Sequence, residues 1–306
     1  MSTAHSSPLP MRDGVSPSCV VLPSGDWPSI AAFLCARFPA IAAEEWAARM
    51  AAGDVVDEFG QTVSAARPFQ AGLRVFYYRA LAAETPIPFE ERVLFQDELL
   101  VVADKPHFLP VTPGGRYLQE TLLVRLKRKL GIATLSPIHR IDRETAGLVV
   151  FAVQPATRGR YHALFAERAV EKCYEAVAPF RVDLALPCTY RSRLVDAANF
   201  MQMRTEAGEP NAETHIELLE QAGALARYRL SPLTGRRHQL RMHCAALGMP
   251  ILHDRIYPEL LPENTDDYAR PLQLLARRIA FRDPVSGVER CFESQRSLMP
   301  LAEAGL

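Results

Sequence analysis

The segment HRIDRETAGLVVFAV, residues 139–153, constrains this chain more than any other. A polar loop carrying Arg140 and Arg143 runs directly into GLVVFAV (147–153). A short apolar run entered from a polar loop reads as a strand buried within a sheet. The loop at the end of such a strand is where a rigid scaffold presents a reactive group. Asp142 lies between the two arginines, and flanking positive charge favours an ionised carboxylate. An ionised aspartate serves as a nucleophile or a base. On this segment alone, a loop-capping ion pair is an equal reading.

Three further segments carry chemistry. In SPLTGRRHQLRMHCAALGMPILHD (231–254), a helix is expected over 236–247, with Thr234 as its cap and Gly248 as its stop. Arg237 and Arg241 are four apart, as are Gln239 and His243, so each pair is expected to share a helix face. Basic donors there suit a phosphate or a buried carboxylate. His238 and His243 are spaced poorly for a metal, and polar packing is the expectation. In VEKCYEAV (170–177), Lys172 and Tyr174 fall on one face of a strand. An aromatic at that place packs in a core or stacks on an extruded base. In DKPHFLPVTPGG (104–115), Lys105-Pro106 follows an apolar strand and opens a turn. Its glycines lack the context of a nucleotide-binding phosphate loop.

Apolar spacing predicts helices at 28–38, 43–52, 119–130 and 157–168, the third of them basic and amphipathic. Short strands broken at Phe59-Gly60 and Ala71-Gly72 are predicted within 54–78, a strand pair within 93–103, and further strands near 170–178, 188–196, 212–220, 225–231, 272–282 and 288–294. Many strands without strict βαβ alternation argue for an α+β fold on a mostly antiparallel sheet with flanking helices. The division expected is a loose Ser/Pro-rich tail (1–22), a small α/β domain (23–84) and a large domain (85–306), with 82–89 as linker.

The formal net charge is zero, but in Arg116–Arg143 the basic residues outnumber the acidic ones. A local positive surface is therefore compatible with a nucleic-acid partner. The six cysteines lack metal-clasp spacing and read as reduced, buried thiols. With no secretory start and no bilayer-length apolar run, a cytoplasmic protein without a membrane partner is expected.

Taken in order, Lys105-Pro106, His139 to Leu148, Lys172 to Ala176 and Thr234 to His243 resemble the motifs of the RluA-type RNA pseudouridine synthases. The resemblance spans roughly 90–295. It implies an isomerase that turns uridines in structured RNA into pseudouridine, needing no metal or organic cofactor. It implies Asp142 as the catalytic aspartate, Arg241 as its partner, and Tyr174 as the tyrosine packing on the target base. Substrate contacts are implied for Arg140, His139, Arg143, Lys172, Arg236, His238 and Gln239. Large-subunit rRNA and tRNA are the candidate substrates, and a monomer is the expected state. A non-catalytic ribosome-assembly factor on the same fold would be signalled by loss of Asp142, Tyr174 or Arg241, and all three are present. An aspartate-nucleophile hydrolase would need a second placed acid or base, which the motifs do not supply.

Several positions depart from the family pattern. Ala146 stands for a serine and Arg237 for a threonine, while Phe108, His253 and Pro258 stand for glycines. Residues 25–80 look like a degenerate copy of a small RNA-binding domain that often precedes the catalytic one. Its expected basic helix carries instead Glu44 and Glu45, followed by Asp54, Asp57 and Glu58, an acidic face that would repel phosphate.

Overall fold

The computed structural model describes residues 7–79, 84–262 and 266–304. The chain divides into two compact units: residues 1–85 with 113–119 and 127–133, and residues 86–112 with 120–126 and 134–306.

The smaller unit contains β1 (Ser18–Val21), α1 (Ile30–Arg37), α2 (Ala43–Ala51), β2 (Val55–Asp57) and β3 (Arg74–Tyr77). Its strands form an antiparallel sheet in the order β1-β3-β2. Ser29 caps α1, its hydroxyl accepting the Ala32 N–H at 3.1 Å. Ile30, Phe33 and Leu34 of α1 and Trp46 and Met50 of α2 bury their side chains against Val55, Val75 and Tyr77. Each large side chain so buried contributes about 1.5–3 kcal/mol.

Two expectations are corrected in this unit. Ser18–Val21 is a strand, not tail; Leu22 beside it is fully buried, and the flanking Ser and Pro residues masked so short a run. Asp57 is not on an acidic face: it is buried, accepts the Phe59 and Gln61 N–H groups, and pairs with Arg67 at 2.7 Å. Of its acidic companions, Asp54 pairs with Arg12 and Glu45 with Arg49. Residues 1–6 of the expected tail and 82–83 of the expected linker lie outside the described residues.

The larger unit is built on an eleven-stranded sheet. Along the chain it comprises β4 (Arg92–Gln96), β5 (Leu100–Lys105), α3 (Leu122–Leu130, of which 122–126 belong here), β6 (Ser136–Pro137), β7 (Ala146–Ala152), α4 (Pro155–Ala166) and β8 (Glu171–Pro179). There follow β9 (Cys188–Asp196), β10 (Met203–Glu206), β11 (Ala212–Ala222), β12 (Leu225–Pro232), α5 (Gln239–Ala246), β13 (Leu274–Arg282), β14 (Glu289–Glu293) and α6 (Leu301–Ala304). The order is β10-β9-β11-β12-β8-β13-β7-β5-β4, with β14 on β13 and β6 on β7. Every pairing is antiparallel except β7 with β13. The α+β reading is therefore correct.

β5 and β7 are buried along their whole length, as their apolar text requires. Tyr161 of α4 packs beneath them with Leu148, Val150 and Phe281, its hydroxyl on Asp283. On the other half of the sheet, Leu240 and Cys244 of α5 cover Ala176, Ile216, Tyr228 and Leu230. Gly147 lies where β7 approaches β13: a Cβ there would sit 2.3 Å from the Ala276 carbonyl oxygen, at φ +108°. No other residue fits that backbone. The short β6, β10 and α6 carry no periodic signal and were not expected.

All six cysteines are free, but only Cys244 is buried, and Cys19 and Cys291 are exposed. The expectation of six buried thiols is corrected, because β1 and β14 turn those two side chains outward. Among the described residues no helix is long and apolar enough to cross a membrane.

Candidate active site

The loop between β6 and β7 holds Asp142, and its backbone is pinned carbonyl by carbonyl. The Asp142 carbonyl accepts the Thr145 N–H at 3.2 Å, closing a turn. The Arg143 carbonyl accepts from Lys105 Nζ at 2.9 Å, and the Glu144 carbonyl from His107 Nδ1–H at 2.7 Å. Lys105 is fully buried and gives its other two donors to the Pro106 and Leu109 carbonyls at 2.9 and 2.7 Å. All three ammonium protons are thus used inside the protein. Burial brings the Lys105 pKa down to about 7 and that of His107 down to about 4. The lysine-proline turn is therefore the brace of the aspartate loop.

Arg241 rises from α5 beneath Asp142. It is 1% exposed and lies in a nest of carboxylates. Its Nε and Nη2 grip the buried Asp254 at 2.8 and 2.6 Å, and Nη1 reaches Asp142 Oδ2 at 3.3 Å. Glu144 Oε2 lies 3.6 Å from the same Nη1. Burial opposes the guanidinium charge, but Asp254, then Asp142 and Glu144, outweigh it and hold the pKa above the ordinary arginine value. Burial likewise opposes the Glu144 charge, yet Arg143 and Arg241 bring its pKa below the usual carboxylate value. Asp254 also accepts the Ile256 and Tyr257 N–H groups at 2.8 and 3.1 Å, so its own position is fixed.

With Oδ2 on Arg241, Oδ1 is the Asp142 oxygen that this hydrogen bond does not engage. His238 Nε2 lies 3.8 Å from it. Burial lowers the His238 pKa despite the Asp142 charge, so the ring is predominantly neutral at pH 7. His238 Nδ1 meets the Tyr257 hydroxyl at 3.1 Å, which itself accepts the Met203 N–H at 2.7 Å. Tyr174 of β8 lines the same cavity as Asp142. Burial, with the Asp142 charge adding to it, keeps its phenol protonated well above the ordinary range.

Asp142, Glu144, Tyr174, His238 and Arg241 line a cavity of about 960 Å³. Arg140, Arg168 and Arg236 are exposed on its lining, with Lys172 half-buried beside them. None of the four pairs with a carboxylate among the described residues. Arg236 and Lys172 reach only the Asn211 and Thr234 carbonyls, at 3.2 Å each. Unpaired cations around a cleft raise the local concentration of a polyanion.

Not every residue expected to touch substrate is free to do so. Gln239 is buried with both its donors and its acceptor engaged: Thr234 and the Arg236 N–H on Oε1, the Glu213 carbonyl and Thr214 on Nε2. Arg143 makes a two-pronged pair with Asp266, both contacts 2.8 Å, and also binds Glu144. His139 accepts the Val150 N–H through Nε2 at 3.1 Å and stacks on Phe165. Arg125 of the basic helix is spent on Glu91, Glu120 and two carbonyls.

Thr234 does not cap α5, because its hydroxyl takes the Glu213 N–H and donates to Gln239. The cap position is His238, at φ 52°, so Arg237 precedes the helix and does not share a face with Arg241. Gln239 and His243 do share one, meeting at the Thr214 hydroxyl at 3.0 and 2.9 Å. Asp254 and Tyr257 were missed as site residues. Their signal was their survival within a segment whose framing glycines had gone.

The family model described as RNA pseudouridylate synthase matches residues 99–246. A Pasteurella multocida protein named dual-specificity RNA pseudouridine synthase RluA is 32% identical over 217 residues, covering 68% of this chain and 94% of its own. An uncharacterized RNA pseudouridine synthase of Synechocystis is 31% identical over 225 residues, covering 72% and 77%. The solved structure of human RNA pseudouridylate synthase domain containing 1 shares the fold, with TM-score 0.56 and 22% identity over 71% of this chain and 94% of that one. The family match and these relatives define an isomerase acting on RNA. The chain belongs to the RluA-type family of RNA pseudouridine synthases.

Proposed function

We propose that Asp142 is the essential carboxylate of this isomerase, acting on specific uridines of large-subunit ribosomal RNA, transfer RNA or both. One observation carries the reading: Arg241, locked to Asp254, holds one oxygen of Asp142 and leaves the other open to the cavity. The reaction breaks the bond between ribose carbon 1′ and uracil nitrogen 1, turns the base and rejoins it through carbon 5. Nitrogen 1 gains a proton and carbon 5 loses one. Asp142 and the protonated Tyr174 phenol are the cavity groups fitted to handle the sugar, the base and that proton. Unstacking the target costs a few kcal/mol. Phosphate contacts from Arg140, Arg168, Lys172 and Arg236 offset it. A relative named for dual specificity supports more than one RNA as substrate. The protein works as a cytoplasmic monomer in this reading.

The test is a map of pseudouridines across ribosomal and transfer RNAs in a strain lacking the gene, complemented with wild type or with Asp142→Asn. The expected result is that one or a few sites vanish and return only with wild type. Sites that return with Asp142→Asn would remove the aspartate from the chemistry. An unchanged map would favour an assembly factor on this fold.

A further inference from the structure

The connection between β9 and β10 displays one large apolar side chain to solvent. Phe200 is 78% exposed, yet it lines the same cavity as Asp142. Its ring makes no aromatic contact among the described residues. A side chain left so bare in a soft loop would call for no explanation, but this loop is braced. Arg237 donates to the Phe200 carbonyl at 2.6 Å and to the Gln202 carbonyl at 3.1 Å, and it pairs with Asp196 at 2.9 Å. Gln202 ties the turn to the Ile256 carbonyl at 2.8 Å, and its backbone N–H closes on Asn199 at 3.0 Å. The brace is thus built largely from Arg237, where the family pattern has a threonine. It fixes the backbone and leaves the ring free.

The surroundings say what such a ring would meet. Arg237, which reaches its carbonyl, shares the cavity lining with it, as do Arg236, Arg140 and Arg168. A cationic cleft draws the RNA backbone, and every nucleobase has a face that stacks on an aromatic ring. A cavity of about 960 Å³ lies near the upper end of the usual ligand-pocket range of about 300–1,000 Å³, leaving room beyond one extruded base.

We infer that Phe200, presented on the turn that Arg237 braces, is a stacking platform for a nucleobase next to the uridine that enters the cavity. It is a substrate-positioning residue and takes no part in the bond changes. The inference rests on the reading of this cleft as the uridine site.

The experiment uses the full chain and an in-vitro transcript of the RNA identified by the deletion map. Steady-state pseudouridine formation is measured for wild type, Phe200→Ala, Phe200→Trp and Asp142→Asn. Loss of a stacking contact is expected to raise KM about tenfold in Phe200→Ala, with a much smaller change in kcat. Phe200→Trp is expected to restore most of it, and the melting temperature of Phe200→Ala to match wild type because the ring is bare. A wild-type KM in Phe200→Ala, or a loss of kcat alone, overturns the stacking role while leaving the Asp142 reading intact. A wild type that forms no pseudouridine, or an active Asp142→Asn, instead overturns the parent reading.

Discussion

Arg241 holds Asp254 with two nitrogens and Asp142 with the third, so the buried carboxylate is the anchor and the partly exposed one keeps an oxygen free of that guanidinium. The two aspartates should therefore respond differently to the same substitution. Asp142→Asn removes a charge that is partly in water, and its folding cost should be small. Asp254→Asn strips the charge partner from a buried guanidinium, a change that costs about 3–5 kcal/mol in other proteins. The expected outcome is a near-normal melting temperature with no turnover for Asp142→Asn, and a markedly lowered one for Asp254→Asn. Thermal unfolding beside a pseudouridine assay decides it. Equal stability of the two variants would show that Asp254 is not the anchor.

Lys105 should matter through the backbone it holds. Lys105→Met keeps the stem and removes three donors, leaving the Pro106, Leu109 and Arg143 carbonyls without them. Each of the three orphaned acceptors costs about 1–3 kcal/mol. Removing the buried ammonium recovers part of that, so a net loss of about 2–4 kcal/mol is expected. Because the Arg143 carbonyl adjoins Asp142, kcat should fall as well. Urea unfolding and single-turnover rates check both parts, and a Lys105→Met chain with normal kcat would disconnect the brace from the chemistry.

Acid should destabilise the fold before its carboxylates titrate. His107, His139 and His243 have pKa values brought down by burial to about 4, 3 and 4. Each is engaged in its neutral form, His243 between the Thr214 and Ser192 hydroxyls. Below about pH 6.5 the unfolded chain binds protons that the folded chain refuses, so stability falls as pH drops from about 6.5 towards about 4. The slope contribution is at most about 1.4 kcal/mol per pH unit for each histidine. Urea unfolding across pH 7 to 5 measures it. His139→Gln should show a shallower slope, and an unchanged slope would show that His139 takes up its proton without resistance.

The motifs made much of this legible. The strand from Ala146, the α5 helix and the tyrosine on β8 were readable because apolar period and polar punctuation are local. The bracing was not. Nothing in the text around Lys105 says that its ammonium closes on Arg143, 38 positions away in sequence. Gln239 and Arg143 looked like substrate contacts because their residue types suit that role, yet long-range partners consume them. Phe108 and His253 appeared as losses of glycine, but their backbones adopt the left-handed conformation that glycine makes easy, at φ 66° and 63°.

The left-handed backbone at Phe108 gives a prediction whose order of effects is unusual. Phe108 is buried, at 5.0 Å from the Tyr268 ring and 6.0 Å from that of Phe89, with the Arg143 guanidinium 5.9 Å above it. The left-handed backbone costs a non-glycine residue about 1–2 kcal/mol, and the buried ring returns more than that, since truncating a core phenylalanine costs about 3–5 kcal/mol. Phe108→Ala loses the ring and keeps the strain. Phe108→Gly loses the ring and sheds the strain. Both should be less stable than wild type, with Gly the more stable of the two by about 1 kcal/mol. In an ordinary core position the smaller residue would be the worse one. Urea denaturation of the three proteins settles the order, and a glycine variant less stable than the alanine variant would mean that the backbone at 108 carries no strain to release.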